Sequence, residues 1–150
     1  MLAGEHLSSA QALGVALAAA RFVRSKNLGD ALAADLRTVL GEASGPVVSD
    51  AVAAAGLMAM NTVYYRFRHM LGKESYEARS PRLRMSRMAQ PATNKLDFEL
   101  MSLACAALAG CELCIKNHEA SLLHLGAGEE ACHDAVRIAA VVNATACGLG

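Results

Sequence analysis

The most reactive group of side chains in this sequence lies in one short stretch, Cys111-Glu112-Leu113-Cys114-Ile115-Lys116-Asn117-His118. On a helix, residues three or four apart share a face. Cys111 is then a neighbour of Cys114, close enough for a disulfide, and Cys114 is a neighbour of His118. Two thiols and an imidazole on one stripe are the minimum set for dithiol–disulfide exchange. A free thiol titrates near about 8.5 and is mostly protonated at neutral pH. An adjacent imidazole can take that proton, and a helix N-terminus, which Cys111 just after Gly110 can occupy, stabilises the thiolate. The second cysteine resolves a mixed disulfide or sulfenic acid formed by the first.

Glu99 is the fourth member. It stands in Phe98-Glu99-Leu100-Met101-Ser102-Leu103-Ala104, an otherwise almost wholly apolar run. A carboxylate on a buried face needs a partner. If its helix packs beside that of Cys111, Glu99 can orient His118 or hold a water for proton transfer. The competing reading is an acid in a first helical turn, placed there by the helix dipole.

Other uses of the pair compete with this one. A zinc site could draw on Cys111, Cys114 and His118 with Cys132 or His133, but structural zinc usually takes two ligand pairs on separate turns, and Cys132-His133 makes a poor second pair. The cysteines could also be small buried hydrophobes. A thioredoxin fold is disfavoured because no strand–helix–strand pattern surrounds the motif. Cys105 and Cys147 read as core, Cys132 and His133 as surface or interface, and His6, His69 and His124 carry no supporting feature.

The elements that must position these groups read as helices. The chain has 150 residues, enough for one domain over residues 1–150 with a real core. It is rich in alanine and poor in aromatics, a composition that favours helices over sheets. Leu7 to Val23 reads as a helix capped by Ser8 or Ser9. A breaker at Lys26-Asn27-Leu28-Gly29 precedes a helix capped by Asp30 and ending at Gly41. Ser44-Gly45-Pro46 starts a long helical region to about Leu71, with a break near Met60 and Asn61. Residues 72–94 read as a loop with a short helix, carrying Arg79, Arg82, Arg84 and Arg87 either as a docking patch for an acidic partner or as a solvated face. Asp97 caps a helix through Ala109, a second segment runs from Cys111 to about Leu125, and Glu129 to Ala146 forms the last helix. No alternating strand pattern is present, so the fold class is all-α.

A weak internal echo places Ala59-Met60-Asn61-Thr62-Val63-Tyr64 in the same context as Ala109-Gly110-Cys111-Glu112-Leu113-Cys114, with Arg68 matching His118. Charges balance, which gives no whole-chain reason to expect nucleic acid or membrane as a partner. The start of the sequence lacks a basic segment followed by an apolar core, so no secretory signal is expected. The apolar runs are broken too often by polar residues to suggest a bilayer span. Five cysteines, an odd number, in such a chain suggest the reducing cytoplasm rather than a secreted disulfide framework.

With these residues in place, the sequence resembles the alkyl hydroperoxidase D (AhpD) family of the carboxymuconolactone decarboxylase-like superfamily. The resemblance rests on Asp97-Phe98-Glu99-Leu100, Gly110-Cys111-Glu112-Leu113-Cys114 and His118-Glu119, with further matches at Met60 to Arg66 and at Arg82-Leu83-Arg84-Met85 followed by Pro91. It implies an all-helical domain with a duplicated helical unit, usually a homotrimer. It implies a dithiol that cycles with a disulfide, with no bound cofactor and no metal. The reductant would be dihydrolipoamide on a lipoylated dehydrogenase subunit. The reduced pair would serve an AhpC-type peroxiredoxin and itself reduce alkyl hydroperoxides. By position, Cys114 is the thiol activated through His118, Glu99 and a water, and Cys111 its more accessible partner. The family often has a histidine just before the second cysteine, where this sequence has Leu113. The alternatives are a non-redox decarboxylase of the same superfamily and a zinc-stabilised regulatory protein.

Overall fold

The computed structural model describes residues 5–149; Met1 to Gly4, part of the start read above as lacking a signal, and Gly150 lie outside them. Among the described residues there are helices and no strands. In chain order they are α1 (Ser9–Phe22), α2 (Lys26–Leu40), a 3₁₀ turn (Gly41–Ala43), α3 (Ser44–Leu71), the single-turn α4 (Glu74–Glu77) and α5 (Ser86–Ala89), α6 (Lys95–Ala109), α7 (Glu112–His124) and α8 (Glu129–Leu149).

Helix α1 is an alanine-rich rod that others pack around. Val15 to Ala20 are all fully buried, and α1 touches α2, α3, α6 and α8. Small side chains let these axes come close. Its start is a capping box: the Ser8 hydroxyl accepts from the Gln11 amide, and the Gln11 side chain accepts from the Ser8 amide. Helix α6 is the second buried rod, with every residue from Phe98 to Ala106 buried. That packing explains why a carboxylate at Glu99 is buried and must find a partner inside.

Several boundaries differ from the sequence reading. The segment Lys26 to Gly29 does not break the chain; it is the first turn of α2, and Asp30 lies inside the helix, paired with Arg21 and Lys26. Gly29 lies against the Arg21 side chain: a Cβ on it would stand 3.0 Å from the guanidinium carbon. Met60 and Asn61 do not interrupt α3. The cap of α6 is Asn94, whose side chain accepts from the Asp97 amide at 2.9 Å and donates to its carboxylate; Asp97 is the acid of the first turn. A window within Lys26–Leu71 is long and apolar enough to cross a bilayer by length and composition, contrary to expectation. In the fold, α3 turns Val47, Asp50, Ala51, Ala54, Ala55 and Met58 to the core.

The loop before α6 is tied down by Asp50. This carboxylate is fully buried and accepts from the Ala92 and Thr93 amides, the Thr93 hydroxyl and the Arg87 guanidinium, at 2.7–3.1 Å. Burial alone would raise its pKa, but the hydrogen bonds from Ala92, Thr93 and Arg87 outweigh it and hold the group below the ordinary carboxylate range. A depressed folded-state pKa stabilises the fold above the unfolded value and is lost as pH falls through the folded value. Asp50→Asn should therefore cost about 2–3 kcal/mol in urea unfolding at pH 7, and the gap between variant and parent should shrink below about pH 4. A gap that stays constant with pH would remove the charge from this account. Arg87 is thus a structural anchor, while Arg79, Arg82 and Arg84 are exposed.

Candidate functional site

Helix α6 ends at a glycine corner that aims the next helix. Gly110 has φ 63°, a left-handed conformation that costs glycine little. The Gly110 amide donates to the Ala107 carbonyl and the Cys111 amide to the Ala106 carbonyl, the pair of bonds of a Schellman motif. From α3, the Arg66 guanidinium donates to the Ala109 carbonyl at 2.7 Å and fixes the corner from outside.

Cys111 is the residue that emerges from this corner, and it is the N-cap of α7. Its Sγ accepts from the Cys114 amide at 3.4 Å. A thiolate formed there faces the positive end of the helix dipole, as its position after Gly110 suggests. Cys111 and Cys114 form a disulfide, with Cα atoms 5.3 Å apart. With Ala106 they make a small apolar cluster against which Tyr65, Ala109 and Ile115 pack. The order of exposure is the reverse of that implied by the family resemblance. Cys111 is fully buried and Cys114 is 7 % exposed, because the glycine corner folds Cys111 back against the end of α6.

One helical turn beyond Cys114, His118 faces α6. Its Nδ1 lies 2.5 Å from Glu99 Oε2, and both side chains are more than nine-tenths buried. With Nδ1 donating to the carboxylate, the lone pair is left on Nε2. Glu99 is past the first turn of α6, so its position answers to His118 and not to the helix dipole. The structure thus brings Glu99 to His118 and joins Cys111 to Cys114, on the adjoining helices α6 and α7.

Among the described residues, no group of three or more His, Cys, Asp or Glu side chains is placed to hold a metal; the zinc set of Cys111, Cys114 and His118 with Cys132 or His133 is not assembled. Cys105 is in the core as expected, and burial pushes its thiol pKa far up. Two cysteine assignments change. Cys147 is exposed because it lies in the last turns of α8, where the core has ended. Cys132 is buried because it lies on the same face of α8 as Ala135 and Ile138. Its thiol is raised by burial and by the nearby Glu119 charge. His133 is exposed.

Sequence reasoning gave no site role to Tyr65, Arg68 or Glu77. Together with His69, Leu113 and Asn117 they line a cleft of about 400 Å³ beside the disulfide. The available signal was the pair Tyr64-Tyr65 in a chain with only six aromatics, three Tyr and three Phe.

Comparison with known proteins agrees with this picture. Residues 76–146 match the model of the carboxymuconolactone decarboxylase family. The chain is similar to the alkyl hydroperoxide reductase AhpD of Anaeromyxobacter dehalogenans (strain 2CP-C), 52 % identical over 143 residues, covering 95 % of this chain and 75 % of the relative. It is similar to the proteins of that name from Methylobacterium sp. (strain 4-46), 43 % identical over 97 % of this chain and 81 % of the relative, and from Rhodospirillum centenum, 40 % identical over 97 % and 77 %.

Proposed function

The chain belongs to the AhpD family, within the carboxymuconolactone decarboxylase family, and from that premise we propose that it is a dithiol-dependent alkyl hydroperoxide reductase working through Cys111 and Cys114. The observation that carries this reading is the disulfide at the N-terminus of α7, one helical turn from the buried Glu99–His118 contact.

The cycle has two halves. In reduction, one thiolate of dihydrolipoamide attacks Cys114 Sγ, the more exposed sulfur. The Cys111–Cys114 bond breaks and Cys111 leaves as a thiolate at the helix N-terminus. The second thiol of the same donor then attacks the donor sulfur of the mixed disulfide. Cys114 is expelled, a cyclic disulfide forms, and two electrons and two protons have passed to the protein. In oxidation, His118 Nε2 accepts the Cys114 proton, and Glu99 steadies the imidazolium. The thiolate attacks the terminal peroxide oxygen, the O–O bond breaks, and the alkoxide leaves as the alcohol on taking up that proton. Cys111 then attacks the sulfenic acid and expels water, restoring the disulfide. The donor is carried on a lipoylated dehydrogenase subunit. An AhpC-type peroxiredoxin disulfide can take the electrons in place of the peroxide. This cycle belongs in the cytoplasm, where a dithiol pool is maintained.

The protein is proposed to assemble as a homotrimer. One face of α3 exposes Val63, Phe67 and Met70, with Val63 and Met70 more than 70 % exposed, an apolar surface suited to burial against another copy. Light scattering should give three times the chain mass, and a monomer at micromolar concentration would refute the assembly.

The deciding experiment is a thiol count on oxidised protein. Dihydrolipoamide should release two thiols and glutathione far fewer, and an alkyl hydroperoxide should remove the same two. No gain with dihydrolipoamide would reject the reductant. Decarboxylase activity that survives thiol blocking would reject the redox assignment.

A further inference from the structure

The disulfide is sealed from most directions, and what lies against it decides what can reach it. Cys111 is fully buried and Cys114 nearly so. Tyr65 packs against the small cluster of Ala106, Cys111 and Cys114 and also forms a wall of the cleft of about 400 Å³. That is the size of a small-ligand site. Leu113, between the two cysteines, forms another wall. Tyr65 thus joins the cleft to the cysteine cluster, and Tyr65 and Leu113 are the apolar part of its lining.

Two of the polar lining side chains, Arg68 and His69, have partners of their own. The Arg68 guanidinium lies 5.6 Å from the Tyr64 ring centre and 5.9 Å from that of Tyr65, and it donates to the Glu77 carbonyl. The Tyr64 and Tyr65 rings meet edge to face at 5.3 Å. His69 faces Glu112 at 3.9 Å, and Glu112 is held by Lys116 at 2.6 Å. Arg68 fixes the Tyr65 ring, and its own charge is covered by two aromatic faces. A carboxylate-bearing thiol entering here would meet Glu77, and the Arg68 guanidinium is already shared between two rings and a backbone carbonyl. An uncharged aliphatic chain would meet Tyr65 and Leu113, with Asn117 at the rim for an amide.

We propose that this cleft is the docking groove for the aliphatic arm of the incoming dithiol, with Tyr65 as the specificity-determining residue and Arg68 as the residue that positions its ring. The assignment rests on the reductive half of the cycle above and adds where its donor lies. It selects dithiols with an uncharged hydrocarbon arm over compact or charged thiols.

Two probes separate the cleft from the chemistry. The first is steady-state reduction of the disulfide by dihydrolipoamide and by dithiothreitol, which share a dithiol and differ in the arm. Tyr65→Ala should lower kcat/KM for dihydrolipoamide about tenfold relative to that for dithiothreitol, mainly through KM, as expected for lost ground-state contacts. Tyr65→Phe should restore most of the preference, because the ring and not the hydroxyl forms the wall. Leu113→Ser, at a half-buried position of α7, should lower the same ratio and serves if the alanine variant misfolds. The second probe is alkylation of the reduced protein by N-hexyl iodoacetamide against iodoacetamide. The parent should favour the hexyl reagent several-fold, and Tyr65→Ala should lose that preference. Equal losses with both dithiols and an unchanged hexyl preference would overturn the proposal. If dihydrolipoamide fails on the parent while the hexyl preference persists and depends on Tyr65, the reductant assignment falls and the groove stands.

Discussion

Cys111→Ser and Cys114→Ser should each lower dihydrolipoamide-dependent peroxide turnover by at least about a thousandfold, the scale on which loss of a covalent nucleophile acts. The two variants should fail in different ways. Without Cys111, Cys114 still sits one turn from His118, so a single addition of hydroperoxide should leave it as a sulfenic acid with no partner to resolve it. Without Cys114, the remaining thiol is the fully buried N-cap sulfur and should react slowly with peroxide. Mass spectrometry after one equivalent of peroxide reads both outcomes. Turnover retained in both variants would remove the dithiol from the mechanism. Faster oxidation of Cys111 in the Cys114→Ser protein than of Cys114 in the Cys111→Ser protein would exchange the two roles.

His118→Gln should slow alkylation of reduced Cys114 about tenfold at pH 7, the effect of removing roughly one unit of thiol activation. The gap should close above about pH 9, where a thiol ionises without help. Glutamine keeps much of the volume and removes the base, so circular dichroism and thermal unfolding should change less than the rate. Glu99→Gln should give a smaller slowing of the same pH form, because the imidazole stays but loses its carboxylate partner at 2.5 Å. A variant rate equal to the parent's at pH 7 with the same pH profile would place His118 in a purely structural role.

The dithiol was legible in the sequence because its geometry is local. CxxC followed by histidine fixes three side chains on one helical stripe whatever the rest of the chain does, and Gly110 announces the corner that makes Cys111 a cap. Glu99 was legible as an anomaly, one acid in an apolar run, and His118 as its partner only on the condition that α6 packs beside α7, which the structure supplies. Exposure was hidden for the same reason. The reversal between Cys111 and Cys114 comes from the fold of the chain around Gly110, and the burial of Cys132 from the face that α8 turns to α6. Tyr65 reaches the site from α3, some fifty residues earlier in sequence, so no spacing rule could link it to the cysteines. Helix boundaries failed where local composition misled: Lys26-Asn27-Leu28-Gly29 has the residues of a turn, yet it closes tightly on Arg21 and continues as helix.

Cys105 lies six residues before Cys111 on the neighbouring helix, sealed in the core with its proton held by burial. A protein that meets peroxides through one cysteine risks letting a third sulfur capture the intermediate and trap a mispaired bridge. A sulfur that cannot ionise is a poor rival, so each round of oxidation should return the same bond. Repeated cycling should therefore leave Cys105 unmodified long after Cys147, on the exposed end of α8, has been oxidised. The core thus protects the fidelity of the cycle as well as the stability of the fold.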